Sequence, residues 1–257
     1  MNILEKITKD KKEEVTYLKS KLTVSTMMSE FKKITVTNFK SAISSKDSIN
    51  IIAEIKKQSP SKGILVKNFD LRKIATDYEQ GGAKAISVLT ESNYFSGNYD
   101  YIKQVKEKVS LPVLCKDFII DDYQIYHARF IHADAVLLIV AILEKTQLKD
   151  YIRLAKENSL DALVEVHDEK EAEIALEAKA DIIGVNNRNL NDFSLSLETS
   201  INLSKIIPDK VIKVTESGIF SRVEIDKLTQ YGYNNFLIGE SLMKSDNRIA
   251  LLQSLIK

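Results

Sequence analysis

The stretch AEIKKQSPSKG (53–63) places Glu54 and Lys56 two residues apart, just after the apolar NIIA. In a strand, residues two apart point to one face, so a carboxylate and an ammonium stand side by side there. Further runs present polar groups in the same way. Lys116 follows PVLC, Glu165 lies within LVEVH, Asn186 and Arg188 close DIIGVNNR, and Glu216-Ser217-Gly218 close VIKVTESG. Parity puts Lys116 on a face with Leu114, Glu165 with Leu163, Asn186 with Gly184 and Ile182, and Glu216 with Val214. Each polar group comes late on a face that is otherwise apolar or small. An ionised group in such a place is costly unless it is paired or used. Two lysines and three glutamates meeting in one mouth would pair and shift one another's proton affinities, as general acid–base chemistry requires. Any single one of these charges reads as well as a strand-end salt bridge. Five at matched positions favour a site.

The elements that must hold these groups follow a regular beat from residue 51 onward. Eight apolar, β-branched runs alternate with longer amphipathic stretches: 51–57, 85–91, 112–118, 135–142, 161–168, 181–188, 211–218 and 235–243. Near-continuous apolar runs fit parallel strands covered on both faces. FDLRKIATDYEQGG reads as a helix with Asp70 as its cap, apolar Leu71, Ile74, Ala75 and Tyr78, and Gly81-Gly82 as its stop. EKTQLKDYIRLAKENSL carries a similar stripe, as does SRVEIDKLTQYGY, where Ser221 and Glu224 form a capping-box pattern. Eight strand–helix units are the arithmetic of an α/β fold of the (β/α)8, or TIM, barrel type. An open doubly wound sheet would typically carry a G-x-G-x-x-G turn after its first strand, and QSPSKG is not one. Residues 1–50 stand outside the beat. They read as an N-terminal helical extension packed on the barrel, with one long helix in ILEKITKDKKEEVTYLKSKL and shorter ones near 26–32 and 38–45. No linker separates it, so residues 1–257 are expected to form one domain.

In such a barrel the catalytic groups sit at the C-terminal strand ends. The second run offers Ser87 and Glu91 there, the fourth Leu137 and Ile139, and the eighth Gly239. Glu91 and Asp117 read as rim salt-bridge partners, and Cys115, facing away from Lys116, as a small buried hydrophobe. The run KDKKEE (9–14) reads as a solvated helix face. After the seventh and eighth runs, ESGIFSR and GESLMK are rich in small residues. These let backbone N–H groups approach an anion, and the seventh and eighth loops of barrels recurrently bind phosphate.

Composition narrows the partners. Lys+Arg number 37 and Asp+Glu 36 in 257 residues, so no electrostatic case exists for nucleic acid or an anionic membrane. The longest strongly apolar run, AVLLIVAIL, is far short of the roughly 20 residues of a membrane span. The single cysteine, with no signal peptide legible, points to a reducing cytoplasm. His127, His132 and His167 lack metal-ligand spacing and read as structural or solvent-facing, so no metal site is expected.

AEIKKQSPSKG, SVLTESNYF, PVLCKDFIID, DAVLLIVAIL, LVEVHDEKE, IGVNNRNL, TESGI and LIGESLM, in this order and spacing, closely resemble the indole-3-glycerol phosphate synthase family. The likeness runs from about residue 50 to the end of the chain, and no second catalytic barrel is visible. It implies a carboxy-lyase of tryptophan biosynthesis that needs neither cofactor nor metal. Its substrate would be 1-(2-carboxyphenylamino)-1-deoxyribulose 5-phosphate. Ring closure, decarboxylation and dehydration would give indole-3-glycerol phosphate, carbon dioxide and water.

The resemblance implies roles too. Lys116 matches the general acid and Glu165 its acidic partner, Lys56 and Glu54 the pair used in dehydration, and Asn186 and Glu216 the supporting polar groups. Ser59, Ser87 and Arg188 match substrate contacts, and Phe95, Phe118 and Leu137 the wall for the aromatic ring. Ser217, Gly218, Gly239 and Glu240 match the phosphate cradle. At Glu240 a backbone N–H would have to act, because the carboxylate repels phosphate. Thr215 replaces a commoner small Ser or Ala. A monomer is expected, with a weak oligomer as the other possibility. Two other readings stay open on the residues alone: a Schiff-base lyase or aldolase with Lys116 or Lys56 as nucleophile, and a non-catalytic phosphate-sugar binding barrel.

Overall fold

Eight parallel strands close on themselves. In a computed structural model describing residues 3–190 and 192–257, they are β1 (Asn50–Ile55), β2 (Ala85–Leu89), β3 (Val113–Lys116), β4 (Ala135–Ile139), β5 (Asp161–Val166), β6 (Ile182–Asn186), β7 (Ile212–Glu216) and β8 (Asn235–Ile238). Each pairs with its sequence neighbours, and β1 closes the ring against β8 with Ala53 opposite Ile238. Met1, Asn2 and Asn191, which the sequence reading includes in its single domain, lie outside the described residues. Every sequence-derived run extends past the observed strand at its C-terminal end. The chain leaves the ladder there to line a cleft, so Lys56, Asp117 and Arg188 are loop residues. QSPSKG holds a small antiparallel ribbon, Gln58–Ser59 with Gly63–Ile64, that the sequence did not announce.

Alternation sorts the strand side chains. Ile52, Ala85, Leu114, Ala135, Leu137, Leu163, Ile182, Val214 and Leu237 fill the barrel interior. The opposite parity packs under the helices, with Ile51, Ala53, Val88, Cys115, Val136 and Val164 in that shell. The helix Leu71–Gln80 shows how the outer layer is specified. Asp70 accepts the Lys73 N–H at its start, and Leu71, Ile74, Ala75 and Tyr78 are buried at helical spacing. The Tyr78 hydroxyl also donates to the backbone carbonyl of Glu54 at 3.0 Å, which ties this helix to the strand end carrying a site residue. Ser221 and Glu224 form the expected capping box of the helix Arg222–Thr229. Among the described residues no helix is long and apolar enough to cross a membrane.

The N-terminal segment runs from the mouth of the barrel to its floor. It comprises α1 (Ile3–Lys21), α2 (Val24–Glu30) and α3 (Phe39–Ala42). Ile3, Leu4 and Ile7 of α1 face the cleft at the C-terminal strand ends. Val15 and Met27 pack on Tyr123, which opens the helix Tyr123–Phe130. Phe39 and Ile43 enter the interior cluster with Ile52 and Val214, so α3 stoppers the floor. The expectation that KDKKEE is a solvated face fails for two of its members. Lys11 is 1% exposed and pairs with Asp117 Oδ1 at 2.8 Å, while Asp10 accepts from the Tyr94 hydroxyl at 2.8 Å. Charge runs look solvated in sequence because the partners, here 106 and 84 residues away, are invisible there.

Candidate active site

The strand-end groups meet in one cleft. Glu54 ends the inward face of β1 and is in contact with the Lys56 ammonium. Lys116, the last residue of β3, lies 2.7 Å from Glu216 Oε2 and 3.2 Å from Glu165 Oε2. Asn186 closes β6, where its side chain accepts the Arg188 N–H at 3.1 Å. All six of these groups, with Ser59, Phe95, Phe118, Leu137, Arg188, Ser217, Gly218, Gly239 and Glu240, line the same hollow of about 1210 Å³, open to solvent on one side. Apolar walls with a few converging charged groups suit a small-molecule ligand. Ser87 is the exception among the sequence-derived residues. It sits opposite Glu54 on β2, wholly buried in the interior below the hollow and outside its lining.

The electrostatics follow from burial and proximity. Burial acts to lower the proton affinity of Lys116, but Glu216, Glu165 and Glu54 outweigh it and hold the amine as ammonium. Burial works to raise Glu165, yet Lys116, the His167 ring and Asn186 keep its carboxyl far below the usual range. Glu216 behaves oppositely. Burial and the Glu165 charge overcome the pull of Lys116 and push it up to about 7. Two carboxylates around one lysine therefore differ in protonation near neutrality, the pattern that separates acid from base.

Small residues make room for this. A side chain on Gly184 would overlap the Glu216 carboxylate, and one on Gly239 that of Glu54. Ser217 and Gly218 both take positive φ, 66° and 78°, as the chain leaves β7. A serine in that region is strained, and such strain clusters at functional sites. The Glu240 carboxylate pairs with Lys244 at 2.6 Å and lies 3.9 Å from Arg188, so cations surround it. Phe95 and Phe118 form a tilted pair, centroids 6.0 Å apart, and Ile3, Leu4, Ile7 and Leu137 continue the apolar wall.

Some assignments change. His167 is neither a remote structural residue nor solvent-facing. Its ring lies 3.3 Å from Glu165 Oε1 and 3.0 Å from Glu171 Oε2. The signal was present, because His167 follows Glu165 by two, the spacing that singled out Glu54 and Lys56. Among the described residues Glu91 forms no rim salt bridge; it accepts the backbone N–H groups of Asn93, Tyr94 and Phe95. His127 does read as structural: burial lowers it to about 4, and it packs among the rings of Tyr99, Tyr123 and Phe130.

Fold and cleft together define a (β/α)8 barrel with an acid–base site at the C-terminal ends of its strands. The family model described as indole-3-glycerol phosphate synthase matches residues 4–255, and the chain belongs to that family. Curated synthases of that name are similar along most of their length. The one from Chlorobaculum tepidum is 50% identical over 210 residues, 81% of this chain and 82% of its own. The one from Legionella pneumophila strain Paris is 45% identical over 255 residues, 99% and 98% respectively. Among solved structures, 3-hexulose-6-phosphate synthase from Salmonella typhimurium shares the fold at a TM-score of 0.65 and 16% identity, covering 80% of this chain and 96% of that one.

Proposed function

We propose that the cleft performs indole-3-glycerol phosphate synthesis, a carboxy-lyase reaction on 1-(2-carboxyphenylamino)-1-deoxyribulose 5-phosphate, by lysine–glutamate acid–base catalysis. The observation that carries the mechanism is the Lys116 ammonium held between Glu216 and Glu165 beside an apolar slot. The slot of Phe95, Phe118 and Leu137 takes the aromatic ring. Lys116 donates a proton to the ribulose carbonyl oxygen as the ring carbon bearing the carboxylate attacks. Carbon dioxide then leaves, its bonding electrons returning to the ring. The new hydroxyl departs as water, with Lys56 and Glu54 supplying and removing protons. Asn186 and Glu216 hold the hydroxyls and the lysine, Ser59 and Arg188 face the substrate carboxylate side, and the turns at Ser217-Gly218 and Gly239-Glu240 receive the phosphate through backbone N–H groups.

Family membership disfavours the Schiff-base and purely binding readings. The roles of α1 in the wall and α3 in the floor support a single domain with residues 1–50 as its extension. The lone buried thiol of Cys115 suits a cytoplasmic location.

Purified protein given the carboxyphenylamino substrate, with neither metal nor cofactor added, is expected to develop indole fluorescence. A flat trace refutes the reading. Gly184→Ala tests the placement of Glu216. The added methyl pushes the carboxylate off Lys116, and kcat is expected to fall on the order of 10²-fold, the usual effect of misplacing a catalytic group by about 1 Å. The melting temperature should barely move, because a flexible side-chain end yields. Unchanged turnover would remove Glu216 from the mechanism.

A further inference from the structure

Behind Glu165 lies an arrangement that acid–base assignment alone does not use. Glu171, His167, Glu165, Lys116 and Glu216 form an unbroken row of opposite charges, from the helix Glu169–Glu177 into the cleft. Glu171 is held in place: one oxygen accepts the His167 backbone N–H at 2.8 Å and also meets ring Nδ1. Nδ1 is within hydrogen-bond reach of Glu171, while Nε2 lies 3.3 Å from Glu165 Oε1 at ion-pair distance, without hydrogen-bond geometry. A neutral imidazole has one N–H and would turn a lone pair toward one of the two carboxylates; an imidazolium presents positive charge to both.

We propose that His167 is a positioning residue that, as an imidazolium clamped by Glu171, fixes the orientation and negative charge of Glu165 beside Lys116. The inference rests on the reading of Glu165 as a catalytic group. Glu165 uses separate oxygens for its partners, Oε1 toward His167 and Oε2 toward Lys116. The ring therefore sets the plane of the carboxylate and keeps it from closing onto Lys116 with both oxygens. The charged and titratable groups around the pair are Lys116 from β3, Glu216 from β7, Glu54 from β1 and Glu171 from the helix, with the amide of Asn186 from β6. Burial lowers the proton affinity of the ring, but Glu165 and Glu171 overcome it and raise it to about 10, so the cation persists through the working range.

The sign of the test follows. Removing a cation beside Glu165 raises its pKa, by about 1–3 units for a charge at this range. The protein would be assayed as the full chain across pH. His167→Asn is expected to lower kcat with KM changed less than about twofold, and to raise the pKa of Glu165, read by carbon NMR of the labelled carboxyl, by about 1–3 units. His167→Lys restores the cation and should return that pKa toward its original position. Glu171→Gln leaves Glu165 alone, since the ring is still charged there, but lowers the pH at which the imidazole loses its proton, read by nitrogen NMR of the labelled ring. A Glu165 carboxyl whose titration is unmoved by His167→Asn overturns the proposal. So does His167→Lys behaving as His167→Asn, or a ring that is neutral at pH 7 in the unaltered protein. A wild-type protein without turnover defeats the broader reading instead, and the NMR result still judges the clamp.

Discussion

Lys116→Ala is expected to reduce kcat by about 10²–10⁴-fold, the usual effect of removing one proton-transfer group, while the protein stays folded. Three features make this the largest catalytic effect in the molecule. The ammonium lies within 3.2 Å of both Glu165 and Glu216, so it is held in a fixed place at which the proposed mechanism has the carbonyl oxygen gain negative charge. It remains charged despite burial because three carboxylates surround it. It stands at the end of β3, whose Leu114 is locked in the barrel interior, so its location does not depend on a mobile loop. The turns proposed to receive the phosphate lie on other strands, so KM should change far less than kcat. Burst-free steady-state kinetics with a melting curve decide the matter. Near-wild-type turnover would take the general-acid role away from Lys116. Deletion does not leave the site neutral, since Glu165 and Glu216 lose a shared counter-ion; part of any lost stability reflects that, and kcat is the cleaner reading.

The second large effect concerns stability. Lys11→Met is expected to destabilise the fold by about 3–5 kcal/mol, the range for breaking a buried ion pair by removing one partner. Lys11 is buried between Asp117 Oδ1 and Glu14 Oε2, each 2.8 Å away, and the Tyr99 hydroxyl donates to Glu14 at 2.7 Å. Methionine fills the volume but leaves Asp117 as a buried charge supported, among the described residues, by the Thr90 hydroxyl at 2.6 Å and the Phe118 N–H at 2.7 Å. For a domain of this size each kcal/mol shifts the midpoint by roughly 2–4 °C, so thermal unfolding would register the loss clearly. A change under about 1 kcal/mol would mean the pair behaves like an exposed one. The consequence reaches function. Asp117 follows Lys116 directly, and α1 supplies Ile3, Leu4 and Ile7 to the cleft wall. A loosened α1 should therefore raise KM for the aromatic substrate.

Much of this molecule follows from two local regularities. Eight near-continuous apolar runs imply parallel strands covered on both faces, and the period-two parity of a strand places Leu114 with Lys116, Leu163 with Glu165 and Val214 with Glu216 inside the barrel. Cap residues such as Asp70 and Ser221 are equally local, because their partners lie within three residues. Strand ends were less legible. Pairing stops where the cleft begins, and that boundary depends on neighbouring strands. Ser87 shows the limit of parity: it fixes which way a side chain faces, not whether it reaches the cleft, and the short Ser87, register partner of Glu54, stays wholly buried outside the lining.

The sequence by itself determined the repeat, the inward parity and the set of charged and amide residues at the strand ends, since each is written in types and spacings within a few positions. Only the tertiary structure decided which of these groups touch. Glu216 pairs with Lys116 from 100 residues away, Lys11 buries itself on Asp117, and His167 reaches back from Glu171 to Glu165. Proton affinity belongs to the same class of fact. Glu165 and Glu216 are the same residue type at equivalent strand ends, yet one is held far below the usual range and the other is raised to about 7. The physical reason is that desolvation and Coulomb energy depend on distances set by closing the ring of strands, and no local pattern contains those distances.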